Sequence, residues 1–280
     1  MIDDPAGAVD YEEAGVGPTV VLVPGSCSTT AAWRPVIAGL GGRFRCVSTS
    51  LLGYGGTVER RTAADPSIAR EAEAVEAVVR HAAGGPAHLV GHSFGGLVAL
   101  AVALRRRVPL ASLSILEAPA AELLRACGEL EHYRAFRDMT DGYFAAFHRG
   151  EDDAVAAMID FYGGPGTFAS WPPRVRGYAV ETTAVNILDW ASAFTYPLSP
   201  GHLAGVDIPV LVVRGGASHP AVQRANELLG LHLPVASLVT LAGAAHFMIA
   251  THADAVAAAI AAHVAQAAPA PGNRKRAGSA

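Results

Sequence analysis

The sequence predicts an α/β fold in which helices flank a mostly parallel central sheet. Short segments rich in Val, Leu and Ile alternate along the chain with segments of helical length. The segment 19–23 is an uninterrupted apolar run, which is typical of a parallel strand buried on both faces. Strands that alternate with helices form parallel sheets with right-handed crossovers. The 280 residues are enough for one such domain with an inserted cap.

The individual elements follow from local signals. Thr29 or Thr30 can cap a helix through residues 33–40, and Asp65 before Pro66 predicts an N-cap for a helix that reaches about residue 81. Another helix begins directly after Ser93, and a final helix covers about 253–265. The predicted strands are 9–13, 19–23, 44–49, a strand that ends at Gly91, 110–116, 208–213 and 235–241.

Residues 119–200 break this alternation. They have the pattern of short helices, and they contain 13 of the 19 Phe, Trp and Tyr residues. An aromatic insertion at the carboxyl edge of a parallel sheet would cover the place where such sheets bind ligands, although each aromatic could equally belong to the insertion's own core. We therefore expect a core at 1–118 and 201–266, a helical cap at 119–200 and a disordered tail at 267–280.

Composition excludes several functional classes. With 21 basic and 25 acidic residues the net charge is −4, so no basic field indicates nucleic-acid binding. The longest apolar or glycine run, 94–104, is shorter than the ~20 residues of a membrane span. Because the N-terminus is acidic and lacks an apolar core, we expect no signal peptide and a cytoplasmic protein. Both a monomer and a homodimer remain open.

The motif Gly91-His92-Ser93-Phe94-Gly95 lies where an apolar strand gives way to a helix. This layout is that of a nucleophile elbow, which exposes a serine hydroxyl on a sharp strand-to-helix turn. Glycines remove the side chains that would collide at such a turn. A serine hydroxyl is a poor nucleophile at neutral pH, so it needs a base and a third group that orients the base.

His246 is the predicted base. It lies in a loop of small residues directly after the last strand, and sheet geometry places that loop at the same edge as Ser93. His92 is the alternative because it is adjacent in sequence. Side chains of neighbouring residues diverge at such a turn, which favours His246.

With Val23-Pro24-Gly25, Gly53-Tyr54-Gly55 and residues 242–247 in the expected order, the sequence resembles the α/β-hydrolase superfamily over residues 9–264. The resemblance implies the α/β-hydrolase fold, with a cap inserted after the strand that ends at Glu117. It also implies an oxyanion hole built from the backbone N–H groups of Phe94 and Ser26. Relatives usually carry His-Gly where this chain has Pro24-Gly25, but a main-chain donor can survive that change.

The acid of the family is missing from its usual loop. Relatives most often place it after the strand that is 208–213 here, where this chain has no carboxylate and Ser218 stands in its position. Glu117 ends the preceding strand at the same edge of the sheet, and the sequence is similar in this respect to haloalkane dehalogenases and zearalenone lactonases. The alternative is that Glu117 is a structural carboxylate bound to backbone at the start of the cap.

These residues predict a serine hydrolase that cleaves an ester or lactone of an apolar small molecule through Ser93, His246 and Glu117. No metal or organic cofactor is implied. Ser93 argues against dehalogenation and epoxide hydrolysis, which use a carboxylate nucleophile in this superfamily. A carbon–carbon bond hydrolase, a cofactor-free haloperoxidase-like enzyme and a slow ligand-binding member of the fold remain alternatives. The predicted pocket walls are Cys27, Trp33, Trp190 and Phe247.

Overall fold

The computed structural model of the chain describes residues 1–4, 7–82 and 84–267. The strands are β1 (Ile2–Asp4), β2 (Gly7–Val9), β3 (Tyr11–Ala14), β4 (Thr19–Val23), β5 (Arg45–Thr49), β6 (Ala87–His92), β7 (Leu110–Leu116), β8 (Val210–Gly215) and β9 (Ala236–Leu241). The α-helices are α1 (Arg34–Leu40), α2 (Ile68–Ala82), α3 (Phe94–Arg105), α4 (Ala121–Ala126), α5 (Leu130–His148), α6 (Ala156–Gly163), α7 (Thr167–Ser170), α8 (Pro173–Glu181), α9 (Thr183–Thr195), α10 (Pro200–Leu203), α11 (Pro220–His232), α12 (Met248–Thr251) and α13 (Ala253–Ala267). A 3-10 helix at Thr30–Trp33 precedes α1.

Seven strands form the main sheet in the order β3-β5-β4-β6-β7-β8-β9. Only the β3–β5 pairing is antiparallel within this sheet, and the remaining pairs are parallel. Helices cover both faces, so β6 is buried along its whole length. The predicted α/β architecture is confirmed.

The register of the central strands fixes the place of the site. His92 pairs with Leu116, and Leu116 pairs with Val213, so β6, β7 and β8 end side by side. The residues that follow these ends, Ser93 and Glu117 among them, therefore meet at one edge of the sheet. This edge is the one at which parallel sheets bind ligands.

Several element boundaries differ from the prediction. The expected strand 9–13 is two strands, because the chain changes pairing partner near Asp10 from β1 to β5. Asp65 is not an N-cap: its backbone pairs with Thr62, and the helix begins at Ile68 after Ser67 accepts a hydrogen bond from the Ala69 N–H. Of the predicted tail, Ala267 ends α13 and 268–280 lie outside the described residues.

The elbow between β6 and α3 has no room for side chains at two positions. A Cβ atom on Gly91 would lie 2.2 Å from the Gly95 carbonyl oxygen, and one on Gly95 would lie 2.1 Å from the Pro24 carbonyl oxygen. These distances are far below contact, so the strand and helix backbones pack directly on each other. The glycines of the motif thus have a steric cause.

Helices α4 to α10 lie between β7 and β8, in the segment where the sequence predicts a helical cap. Within it Phe136 and Phe194 pack on Trp190 with ring centroids 6.0 and 5.7 Å away. Phe136 and Trp190 belong to the same apolar core as Val21 of β4 and Leu97 of α3. Tyr162, Trp171 and Trp190 also line a cavity above Ser93. Within residues 1–4, 7–82 and 84–267, no helix is long and apolar enough to cross a membrane.

Candidate active site

Ser93 lies on the turn between β6 and α3 with φ 55° and ψ −130°. Positive φ is uncommon for a residue with a side chain, and strained residues of this kind are often found at functional sites. The Ser93 N–H donates to the Leu116 carbonyl at 2.8 Å, which holds the strained turn against β7. The turn exposes the Ser93 side chain to the cavity.

His246 bridges the two other predicted residues. Its Nε2 lies 2.9 Å from the Ser93 hydroxyl oxygen, and its Nδ1 lies 2.8 Å from Oε2 of Glu117. The imidazole is buried, with 3% of the residue exposed. With the proton on Nδ1, His246 donates to Glu117 and presents a lone pair to the Ser93 hydroxyl.

Glu117 is fully buried at the end of β7, with φ 50°. Its Oε1 accepts hydrogen bonds from the Gly215 N–H and from the Ser218 hydroxyl, both at 2.6 Å. Burial by itself raises the pKa of Glu117, but His246, Ser218 and the Gly215 N–H together hold this pKa below its usual value. Glu117 is therefore ionised at neutral pH.

Ser218 occupies the loop after β8, from which the usual carboxylate of relatives is absent. Instead of replacing that acid, the Ser218 hydroxyl donates to the carboxylate supplied by β7. The last residue of β8 and the loop that follows it thus each contribute one donor to Glu117.

His92, the alternative base, is hydrogen-bonded to the loop that carries His246, whereas the Ser93 hydroxyl is contacted by His246. The Nε2 of His92 lies 2.8 Å from the His246 carbonyl oxygen, so this nitrogen carries a proton and donates. Burial, and next the proximity of His246, lower the pKa of His92 to about 3. A neutral His92 thus anchors the backbone of the loop that carries His246.

This depressed pKa predicts an acid-dependent loss of stability. The folded pKa of about 3 lies below the ordinary value of about 6.5, so the unfolded chain takes up the proton first as pH falls. We expect the free energy of unfolding, measured with urea from pH 7 to 4, to fall more steeply with falling pH for the wild type than for His92→Gln. The difference between the two slopes should be up to about 1.4 kcal/mol per pH unit. The exposed control His148→Gln should follow the wild type, and equal slopes for His92→Gln and wild type would contradict the prediction.

Tyr162 of α6 is a site residue that the sequence does not reveal. Its ring stacks on His246 with centroids 3.9 Å apart and an interplanar angle of 26°. Burial raises its pKa well above the usual value, so the phenol stays protonated. Tyr162 seals one face of the imidazole from water.

The cavity above Ser93 has a volume of about 340 Å³, in the range of small-molecule sites. Cys27, Trp190 and Phe247 line it as predicted, together with Phe94. Burial raises the pKa of Cys27 to about 12, so its thiol is not a competing nucleophile. Further apolar walls are Met158, Ile159, Trp171, Pro172, Val175, Ala193 and Ile249.

Trp33 is not a wall of the cavity, which corrects the prediction. It ends the 3-10 helix before α1 and is fully buried in the apolar cluster that contains Val20 and Leu22 of β4 and Ile260 of α13. Trp33 follows the Val23-Pro24-Gly25 turn in sequence, but its ring packs into this apolar cluster and does not line the cavity.

Ser26 lies on the loop after β4 and lines the same cavity. The loop runs close to the elbow, since a Cβ atom on Gly25 would lie 2.8 Å from the Cβ of Ser93. Among the described residues the Ser26 backbone N–H has no hydrogen-bond partner, whereas its hydroxyl donates to Asp189 of α9 at 2.5 Å. Asp189, like Tyr162, is a site residue that the sequence does not reveal.

The described part of the chain contains no group of three His, Cys, Asp or Glu residues arranged to hold a metal ion.

A model of the alpha/beta hydrolase family matches residues 20–259. The chain belongs to this family. The matched range of this alpha/beta hydrolase includes Ser93, Glu117 and His246, and its central sheet is the framework that positions them. Among curated relatives it is similar to haloalkane dehalogenase 2 of Mycobacterium bovis, with 31% identity over 104 residues that form 37% of this chain and 36% of the relative. The match thus spans only about a third of that relative's length.

Two solved structures illustrate the fold that this alpha/beta hydrolase shares. The enol-lactonase from Burkholderia xenovorans LB400 has a TM-score of 0.71 and 20% identity, covering 92% of this chain and 96% of that one. A thermophilic esterase from Thermogutta terrifontis has a TM-score of 0.71 and 21% identity, covering 92% of this chain and 93% of that one. At these identities the likeness demonstrates the fold alone.

Proposed function

We propose that this hydrolase cleaves an ester or lactone bond of an apolar small molecule through an acyl-enzyme on Ser93. The observation that carries the proposal is the continuous hydrogen-bond chain from Ser93 through His246 to Glu117. Each contact lies within the 2.6–3.2 Å range in which a base activates a nucleophile and is itself oriented by a third group.

In the proposed reaction the Ser93 oxygen attacks the carbonyl carbon while His246 Nε2 takes its proton. Glu117 stabilises the imidazolium and fixes its orientation. The negative oxygen of the tetrahedral intermediate accepts hydrogen bonds from the N–H groups of Phe94 and Ser26. His246 then protonates the leaving alcohol oxygen, and a water molecule activated by the same imidazole releases the acid.

The cavity supports an apolar substrate. Its walls are mostly aromatic and aliphatic, and polar groups are concentrated around Ser93 and on α9. The enol-lactonase and the esterase are structural neighbours whose chemistry is of the proposed class. The similarity to a haloalkane dehalogenase does not lead us to propose dehalogenation, because a serine stands at the nucleophile position.

Reaction with a fluorophosphonate followed by mass spectrometry tests the proposal. We expect one adduct, on Ser93, and hydrolysis of short p-nitrophenyl esters or simple lactones that the adduct abolishes. Labelling without hydrolysis of either substrate class would favour a different reaction on the same serine. An unlabelled Ser93 in folded protein would refute the proposed mechanism and favour a ligand-binding protein.

A further inference from the structure

A buried group of charged residues joins the inserted helices to the loop beside Ser93. Asp189 of α9 is 1% exposed and lines the cavity. Its Oδ2 accepts hydrogen bonds from the Ser26 hydroxyl at 2.5 Å and the Tyr54 hydroxyl at 2.7 Å, and its Oδ1 accepts one from Arg61 Nη1 at 2.7 Å. All three donors belong to the segment before β6, whereas Asp189 comes from the insertion.

Arg61 is held in a fixed orientation by several carboxylates. Besides Asp189 it pairs with Glu71 of α2 at 3.0 Å and with Glu59 at 2.8 Å, and 4% of Arg61 is exposed. A guanidinium with its fork engaged in this way is a rigid partner. The position of the Asp189 carboxylate is therefore determined by groups that are themselves fixed.

Burial and the neighbouring donors have opposite effects on the charge of Asp189. Burial raises the pKa of both Asp189 and Glu71, for Glu71 to about 8, and Arg61 opposes this in each case. Asp189 accepts three hydrogen bonds, and these favour its ionised form. Its 2.5 Å contact with Ser26 has the length of a charge-assisted hydrogen bond.

The loop that this carboxylate holds is strained and adjacent to the nucleophile. We name residues 24–27 the oxyanion loop, since it contains the predicted donor Ser26. Cys27 has φ 55°, and Gly25 packs against Ser93 so closely that a Cβ there would lie 2.8 Å from the serine Cβ. A segment in an uncommon backbone conformation persists only when its surroundings fix it.

We propose that Asp189 is a positioning residue that directs the Ser26 backbone N–H toward Ser93 through its hydrogen bond to the Ser26 hydroxyl. This inference rests on the proposed function, because it concerns the donor for the oxyanion. It assigns to the insertion a role in the chemistry besides that of covering the pocket. The oxyanion hole is complete only when α9 is packed against the core, so that Asp189 contacts both Arg61 and Ser26 of the oxyanion loop.

Steady-state kinetics with a p-nitrophenyl ester test the proposal through Ser26→Ala, Asp189→Asn and the double variant. Ser26→Ala keeps the backbone N–H and removes only its anchor. We expect each single variant to lower kcat by about 10- to 100-fold with KM nearly unchanged, less than the 10²–10³-fold that loss of a whole donor costs. Because both changes break one contact, the double variant should be no slower than the slower single variant.

Ser192→Ala is the matched control, since it removes another hydrogen bond between α9 and the segment before β6, the one to the Pro66 carbonyl, without touching Asp189 or residues 24–27. It should change kcat by less than about threefold. A trifluoromethyl ketone, which forms a tetrahedral oxyanion on the serine, should lose affinity in Ser26→Ala by the same factor as kcat.

The outcomes separate the two proposals. Unchanged kcat in Ser26→Ala, additive losses in the double variant, or an equal loss in Ser192→Ala would overturn the positioning role while leaving a working serine hydrolase. Thermal unfolding of Asp189→Asn shows whether it folds, and Ser26→Ala decides the matter if it does not. A wild type that neither labels nor hydrolyses any ester or lactone would overturn both proposals.

Discussion

Replacement of Ser93 by alanine should reduce ester hydrolysis by about a millionfold, to the level left by binding and the oxyanion donors. The Ser93 hydroxyl lies 2.9 Å from His246 Nε2, so its removal leaves the base without a nucleophile to activate. The alanine methyl fits where the serine Cβ already lies against Gly25. The variant should therefore fold and bind substrate.

Ser28→Ala is the matched control for this experiment. Ser28 lines the same cavity but makes none of the hydrogen bonds of the Ser93–His246–Glu117 chain. Hydrolysis is followed at saturating substrate, and circular dichroism checks that both variants fold. Substantial turnover by Ser93→Ala, or a comparable loss in Ser28→Ala, would show that the nucleophile lies elsewhere.

Glu117→Gln should lower kcat by about 10⁴-fold with the fold intact, as expected when the histidine is held in the wrong tautomer. Glu117 uses one oxygen for the Gly215 N–H and the Ser218 hydroxyl and the other for His246. A glutamine has one acceptor oxygen, which would accept the hydrogen bonds from the Gly215 N–H and the Ser218 hydroxyl. Its amide nitrogen would then face Nδ1 and force the proton onto Nε2, where it blocks acceptance of the Ser93 proton.

Ser218→Ala is the control, because it removes one of the two donors to Glu117 without changing the charge or the contact with His246. We expect a loss of at most about 100-fold, since one hydrogen bond to a charged group contributes about 1.5–3 kcal/mol. The two variants are compared in kcat with a common ester. A larger loss in Ser218→Ala than in Glu117→Gln would assign the acid role to another group.

Much of the fold could be predicted because short β-prone segments such as 19–23 alternate with segments of helical length, a pattern that is visible in the local sequence. The meeting of Ser93, Glu117 and His246 follows from one rule, that carboxyl ends of neighbouring parallel strands share an edge. The failures have a different origin. The direction of the Trp33 ring depends on how a 3-10 helix leaves its loop, and no spacing rule encodes that direction.

The contacts that residues of the insertion make with the site could not be predicted either. Ser26 and Asp189 are in contact although they are 163 positions apart, and Tyr162 reaches His246 only through the packing of α6 over the sheet edge. Helix periodicity shows which face of α9 is apolar but not which partner that face meets. Such contacts depend on the tertiary packing of two layers, which one sequence does not specify.

Strain is distributed unevenly over this backbone. Of the described residues with a side chain and positive φ, Cys27, Ser93 and Glu117 all belong to the site, and Arg106 at the end of α3 is the remaining one. Each such residue costs about 1 kcal/mol or more that a glycine would not. Selection for stability alone would therefore replace these side chains, and their presence marks the positions where thermostability and chemistry are in conflict.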